Sequence, residues 1–231
     1  MKPNVIILAG GRGTRLAEKV PGVPKPLAKI MGRPFLEYVL DHLLTEGIES
    51  VTLATGYLGS MISEHFGDKY RGMSLCYSIE TEPLGTGGAV RRAIEKSESD
   101  WVLVGNGDTY LEFSLAEVLD RATSEGSSLV LTSTVENAKK FNTLSEKNGR
   151  VEMNAKGHPG PARINAGWYY LKKEELVEFP PDVAFSMEED FLVPSLRDGK
   201  LRLHEVVGRF IDIGTPEDFA RASQVLLEND F

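Results

Sequence analysis

Val5-Ile6-Ile7-Leu8-Ala9-Gly10-Gly11-Arg12-Gly13-Thr14-Arg15-Leu16, followed by Pro24-Lys25-Pro26-Leu27, is the stretch from which the rest of the chain can be read. Its four leading apolar residues, two of them isoleucine, read as a short strand buried on both faces. Gly10, Gly11 and Gly13 follow at once. Glycine accepts positive φ and lets another group approach the backbone closely, so successive N–H groups can turn toward an anion. Arg12, Arg15 and Lys25 place several cations on the same short segment. Strand, glycine turn, arginines and Pro-Lys-Pro clamp together point to a phosphate site; a surface turn with solvated cations is the competing reading.

Spacing excludes two familiar phosphate loops. A Walker A loop needs Gly, four residues, then Gly-Lys-Ser/Thr, and no such string occurs. A dinucleotide fingerprint needs a third glycine or alanine, but from Gly11 the run is Gly-Arg-Gly-Thr-Arg-Leu. Pro21, Pro24 and Pro26 would also interrupt a crossover helix at this point.

The 231 residues are enough to bury roughly 70% of the unfolded surface, and one domain over 1–231 is expected. A formal net charge of −8 argues against a general nucleic-acid or membrane-surface binder. The partners expected are therefore small molecules, with no nucleic acid and no membrane, for a monomer or small homo-oligomer. Cys76 is the sole cysteine, which rules out an intramolecular disulfide, and its apolar surroundings read as those of a buried, inert thiol. No leader-like segment and no apolar run near ~18 residues is present, which predicts a cytoplasmic protein.

Past the first loop, residues 34–46 read as a helix with Pro34 at its first position and Leu36, Val39, Leu40, Leu43 and Leu44 on one face. Strands are expected at 51–54 and at 73–79, the latter apolar at Leu75, Tyr77 and Ile79. Glu80-Thr81-Glu82-Pro83-Leu84-Gly85-Thr86-Gly87-Gly88-Ala89 is a second glycine-rich turn, opening another helix. Lacking lysine and arginine, it suits a flat polar ring such as a nucleobase better than a phosphate; a plain strand-to-helix connection is the alternative.

Trp101-Val102-Leu103-Val104-Gly105-Asn106-Gly107-Asp108-Thr109 reads as a further buried strand ending in a carboxylate, Asp108. In open α/β sheets the ligand crevice lies at the carboxyl ends of strands, so this carboxylate stands where a metal–phosphate complex would sit. An Asx turn is the competing reading. A helix with Ser114 and Glu117 in capping-box spacing and a strand at 128–134 follow. The alternation predicts a mostly parallel sheet with right-handed crossovers.

From 138 to 160 the chain is polar, with Asn148-Gly149 as a turn between two short antiparallel segments, a flap beside the site. A strand returns at 163–171. Ser186 and Glu189 repeat the capping-box spacing, and Glu188, Glu189 and Asp190 read as first-turn acids favoured by the helix dipole. Finally Arg209-Phe210-Ile211-Asp212-Ile213-Gly214-Thr215-Pro216 reads as a strand ending at Asp212, then a helix capped by Thr215.

Leu8 to Leu16, with Pro24 to Leu27, resembles the signature of the sugar-nucleotide pyrophosphorylases, nucleotidylyltransferases that join a sugar 1-phosphate to a nucleoside triphosphate. The run from Glu82 to Ala89 resembles that family's base pocket, with Gly87 where alanine is frequent. Asp108 and Asp212 match its metal aspartates, and Asn165-Ala166-Gly167 its sugar-contacting Asn-x-Gly. A family Glu-Lys pair near the sugar phosphate is represented here by Ala155-Lys156, so only the lysine carries over.

What the resemblance implies is a Rossmann-like three-layer α/β sandwich with a mostly parallel central sheet and a small antiparallel flap at about 138–171, the glycosyltransferase-A-like nucleotidyltransferase fold. It implies Arg15 and Lys25 as catalytic cations. The nucleotide would lie on Leu8, Ala9, Gly10, Gly11, Gly13 and Thr14, with Glu82, Pro83, Gly85, Thr86 and Gly87. The sugar phosphate would lie on Asn106, Lys156, Asn165, Gly167 and Glu189. Mg²⁺ would sit between Asp108 and Asp212, brought together if both of their strands belong to one parallel sheet. Within the family, the short chain most resembles enzymes joining GTP to a manno-configured heptose 1-phosphate; mannose, glucose and N-acetylmuramate 1-phosphate enzymes are close competitors. A non-catalytic nucleotide-sugar sensor would have no need of Arg15, Lys25, Asp108 and Asp212 together. A glycosyltransferase usually shows Asp-x-Asp, which Asp108-Thr109-Tyr110 is not.

Overall fold

The computed structural model of the chain describes residues 2–11, Gly13, Leu16, 20–147 and 150–227. β1 (Asn4–Leu8) runs between two hydrophobic cores. Val5 and Ile7 belong to one and Ile6 to the other, because successive side chains of a strand point to opposite faces. A 3-10 turn at Lys25–Leu27 and a minimal hairpin of β2 (Lys29–Ile30) and β3 (Arg33–Pro34) lead into α1 (Phe35–Thr45). Pro34 stands at the cap of α1, one residue earlier than its spacing predicts. β4 (Ser50–Thr55), α2 (Gly59–Phe66), β5 (Lys69–Tyr70) and β6 (Met73–Ile79) follow. Next come α3 (Gly85–Ala93), β7 (Trp101–Asn106), β8 (Thr109–Leu111), α4 (Leu115–Glu125) and β9 (Ser128–Val135). The expected capping box is formed, with the Glu117 N–H donating to Ser114 Oγ at 3.3 Å.

The remainder carries β10 (Thr143–Lys147), β11 (Arg150–Asn154), the long β12 (Ala162–Lys172) and α5 (Lys173–Val177). A π-helical turn at Met187–Leu192 runs into α6 (Val193–Arg197), followed by β13 (Leu201–Glu205), β14 (Phe210–Asp212) and α7 (Pro216–Leu227). β10 and β11 pair antiparallel as expected; their turn, Asn148-Gly149, lies outside the described residues.

β7, β1, β4 and β6 lie side by side and parallel at the centre of the sheet. The wings are antiparallel: β5 on β6 at one edge, β12 on β7 at the other. β9 does not extend the parallel run, as the alternation alone implied. It sits between β12 and β13, buried from Ser128 to Ser133. Helices cover both faces. Leu36 of α1, Val118 of α4 and Ala222 of α7 enter the first core; Val90 of α3, Leu176 of α5 and Leu196 of α6 enter the second. The result is a three-layer α/β sandwich with a parallel centre.

β6 corrects one expectation. Ser74 and Cys76 are exposed while Met73 and Leu75 are buried, and Ile79 is 58% exposed. Ser74 and Cys76 stand on an uncovered part of β6, so the thiol is accessible rather than buried. Among the described residues no helix is long and apolar enough to cross a membrane.

Candidate active site

The carboxyl ends of the four parallel strands are stitched together by backbone hydrogen bonds. Ala9 N–H donates to the Ala54 carbonyl, Glu80 N–H to Thr55 and Gly107 N–H to Leu8, each at 2.8 Å. These bonds set the first loop, the Glu80–Gly85 turn and Asp108 around one trough, at the edge where open α/β sheets bind ligands.

Lys25 sits at the middle of the trough. Its Nζ lies 2.9 Å from Asp108 Oδ2, and only 12% of its side chain is accessible. Gly13 has φ of +59°, and a Cβ there would come within 2.7 Å of Lys25 Cγ. The glycine is thus required both by the left-handed backbone and by the lysine stem lying over it. Leu8, Ala9, Gly11, Thr86 and Asn106 complete this central part, of about 200 Å³.

On one side the trough widens to about 490 Å³ lined by Leu8, Gly10, Gly11 and the Glu82, Pro83, Gly85 and Thr86 wall, with Tyr57 and Glu80 also in the lining. The sequence motifs do not single out Glu80, although it follows β6 directly, as Asp108 closely follows β7. One of its carboxylate oxygens accepts the Leu84 N–H at 3.2 Å, and burial pushes its pKa up. Gly87 is not part of this lining. It lies under Phe185: a Cβ on Gly87 would fall 2.1 Å from the ring, and its N–H donates to the Phe185 carbonyl. The alanine frequent here in the family has no room, because the Phe185 ring fills the space.

On the other side, about 250 Å³ is lined by Asn106, Asp108 and Asp212 at one end and by Lys156, Asn165 and Gly167 beyond them. Asn165 Oδ1 accepts the Gly167 N–H at 2.9 Å, inside a bulge of β12. Glu189 is exposed and does not line this cavity; Glu188 does, and accepts a 2.8 Å hydrogen bond from Asn142 Nδ2. Capping-box spacing identifies the helix start but cannot reveal that a π-helical turn aims the first acid, Glu188, inward. Lys140 and Asp218, also in the lining, form an ion pair. Arg12, Thr14 and Arg15 lie outside the described residues.

Asp212 reaches Asp108 by a route other than the one expected. β14 does not join the parallel sheet; it pairs antiparallel with β8 in a separate two-stranded ribbon, with Asp212 opposite Thr109. Ile213 N–H donates to the Asp108 carbonyl at 3.0 Å. Burial, and then the charge of Asp108, push the Asp212 pKa up to about 6, against the pull of the Gly214 N–H and Lys25. A buried carboxylate whose ionisation is disfavoured by a neighbouring one forms a site that a cation would relieve. Among the described residues no group of three or more His, Cys, Asp or Glu could hold a metal. Two hard oxygen ligands nonetheless fit Mg²⁺, which is held by one or two carboxylates plus substrate phosphates.

Residues 4–229 match the model of the family described as nucleotidyl transferase. The chain is 37% identical over 225 residues to D-glycero-alpha-D-manno-heptose 1-phosphate guanylyltransferase of Aneurinibacillus thermoaerophilus, covering 96% of this chain and 98% of that one. It is 35% identical to the enzyme of the same name from Campylobacter jejuni, over 94% and 96% of the two chains. HddC from Yersinia pseudotuberculosis, crystallised with GMP-PN, superposes with a TM-score of 0.84 at 32% identity, covering 96% of this chain and 99% of that one. A glucose-1-phosphate thymidylyltransferase from Bacillus anthracis, described as putative and 21% identical, shares the fold with a TM-score of 0.83 over 100% of this chain and 97% of that one. With a family match over nearly its whole length and a trough of this kind, the chain belongs to the nucleotidyl transferase family.

Proposed function

We propose that the protein transfers the guanylyl group of GTP to D-glycero-α-D-manno-heptose 1-phosphate, giving GDP-heptose and pyrophosphate. The observation that carries the reaction class is the position of Lys25 and Asp108, at the point where the wide cleft and the polar cavity meet. A nucleotide in the wide cleft and a sugar 1-phosphate in the polar cavity would bring their phosphates together there. An oxygen of the sugar phosphate attacks the α-phosphorus, and the bond from that phosphorus to the bridging oxygen breaks. The electron pair leaves with pyrophosphate. A phosphate monoester has a second pKa of ~6, so the nucleophile is already anionic and needs no general base. The barrier is the meeting of two polyanions, and positioned cations lower it.

Lys25 is placed to hold the attacking and α-phosphates, and the first-loop amides with Arg15 to hold the departing ones. Asp108 and Asp212 would hold Mg²⁺, which when bound neutralises charge developing on phosphate oxygens. Guanine is favoured by Glu80: its N1–H and N2–H groups are donors, and a carboxylate in the wide cleft is an acceptor for both. The heptose assignment rests on the relatives, and the β10–β11 hairpin is read as the flap on the sugar side. GDP-heptose is an activated glycosyl donor, so the product would supply glycan assembly.

The test is a cross of GTP, UTP and dTTP with heptose, mannose, glucose and N-acetylmuramate 1-phosphates, following pyrophosphate release. GTP with the heptose should give the highest kcat/KM. A preference for UTP or dTTP overturns the base assignment; absence of pyrophosphate release with every pair overturns the reaction.

A further inference from the structure

Asp212 is carried to Asp108 by a ribbon of minimal length. β8 and β14 contribute three residues each, and a two-stranded pair standing alone is marginal in water even when longer. Ile211 and Tyr110 pack into the first core and keep the ribbon against the sheet. Apolar contacts are non-directional, however, and do not by themselves fix where a carboxylate lies.

Directional contacts gather at the end of the ribbon remote from the two aspartates. Glu112 N–H donates to the Arg209 carbonyl at 2.9 Å, one rung beyond the Phe210–Leu111 pair. The side chains close that rung: Arg209 Nε donates to Glu112 Oε2 at 2.9 Å and Nη2 to Oε1 at 3.2 Å, a two-pronged pairing. The Arg209 N–H donates to Oε2 as well, at 3.3 Å. The guanidinium holds the Glu112 carboxyl below its usual range. Its other bonds reach outward, from Nη1 to the Leu226 carbonyl of α7 at 3.0 Å and from Nη2 to the Tyr110 hydroxyl at 3.3 Å. On the β8 side, α1 supplies the anchor. His42 Nε2 accepts the Phe113 N–H at 3.2 Å, and Glu46 Oε2 accepts the Leu115 N–H at 2.7 Å. α1 thus fixes the chain leaving β8, and Arg209 ties β14 both to that chain and to α7.

We propose that Arg209 and Glu112 are the positioning pair of the two-carboxylate site: their bond sets the register of the β8–β14 ribbon and so seats Asp212 beside Asp108. This rests on the metal role given to those aspartates above. Neither Arg209 nor Glu112 lines the trough. Three residues separate Arg209 from Asp212, about 10 Å of extended chain, so the pair acts only through the backbone. Mg²⁺ demands near-ideal octahedral geometry. A carboxylate displaced by about 1 Å would therefore hold it poorly, and misplacement of that size can cost about 10²-fold in rate.

The variants are Arg209→Gln, Arg209→Lys and Glu112→Gln. Arg33→Gln is the control for a lost ion-pairing arginine, because Arg33 pairs with Glu37 and Asp41 of α1. In metal-free protein, amide exchange followed by NMR reads the seat of the ribbon through the Ile213 N–H, which donates to the Asp108 carbonyl. That amide should exchange about tenfold faster or more in both Gln variants, with the amides of β1 and β4 unchanged. In turnover, the Mg²⁺ concentration for half-maximal rate should rise by about tenfold or more. The KM for the sugar 1-phosphate should stay the same, and excess Mg²⁺ should restore part of kcat. Arg209→Lys keeps the charge but not the two-pronged bond and should recover little. A wild-type Mg²⁺ requirement or wild-type Ile213 exchange in the Gln variants overturns the proposal. An equal rise in Mg²⁺ requirement in Arg33→Gln also overturns it, by tracing the effect to lost stability. The exchange measurement needs neither metal nor substrate. Wild-type protein without Mg²⁺-dependent turnover would therefore remove the metal reading, while Ile213 exchange still decides whether the pair seats Asp212.

Discussion

Lys25 Nζ lies 2.9 Å from Asp108 Oδ2, so the cation proposed for catalysis and a carboxylate proposed for the metal neutralise each other. In the proposed reaction, ligand binding would redistribute that pair, with Lys25 serving phosphate and Asp108 free to hold a metal. The pair lies mostly out of solvent, where its charges are weakly screened.

Lys25→Ala should therefore lower the single-turnover rate by about 10²- to 10³-fold, the usual cost of removing one preorganised charge donor. Circular dichroism should report an intact fold. Lys25→Arg should not restore the rate, because the stem lies against Gly13 and a planar guanidinium cannot occupy the ammonium's position. Wild-type turnover in the alanine variant would remove Lys25 from the mechanism.

The pH dependence follows from Asp212. Its folded pKa, raised from 3.8 to about 6 by burial and by Asp108, means that the folded state holds this proton more tightly than the unfolded chain does. Metal-free protein should lose stability as pH rises from about 4 through about 6, by up to about 3 kcal/mol, and be level above that. Asp212→Asn should flatten this slope and raise the metal-free Tm at pH 7.5 while abolishing Mg²⁺-dependent turnover. Melting curves at pH 5 and pH 7.5 in chelator decide it; an unchanged slope in the variant would sink the assignment.

Gly87→Ala tests the space under Phe185. The new methyl cannot be accommodated unless the ring moves off Phe179, on which it is stacked at 4.1 Å. A loss of about 1–3 kcal/mol is expected, with a higher KM for GTP because the same segment anchors the Leu84 and Thr86 loop. Adding Phe185→Leu should recover part of both. A variant as stable as wild type would show that the ring is free to shift.

Glu80→Gln addresses the base. Replacing the carboxylate by an amide removes an acceptor shared by two guanine donors, so kcat/KM for GTP should fall about tenfold or more. UTP, which lacks that donor pair, should be affected less. Equal losses for both nucleotides would show that Glu80 supports the loop and does not read the ring.

Much of this was legible in the sequence. The buried strand, the glycine turn and Lys25 follow from composition and spacing alone, and Asp108 follows from its place after a strand. Asp212 was identified by resemblance to a motif, whereas the reason offered for its position, a shared parallel sheet, was wrong: the β8–β14 ribbon does the work. Cys76 is misread because strand hydrophobicity does not tell which face a helix will cover, and Ile79 because it ends the strand, past Met73 and Leu75 that are covered on its own face. Gly87 and Glu189 were assigned to ligand by motif position, but Phe185 occupies one place and a π-helical turn redirects the other. Such details depend on residues a hundred positions away, beyond the reach of any local pattern.

Because Asp212 is delivered by a ribbon outside the main sheet, the site has an order of assembly during synthesis. All four strands of the parallel centre, and Asp108, are made by residue 108. The wall of the nucleotide cleft waits almost as long, because the Leu84 and Thr86 turn is anchored by Phe185 and Met187. The ribbon then makes the two-carboxylate site the last part of the trough to be assembled: it cannot form until residue 212 has been added.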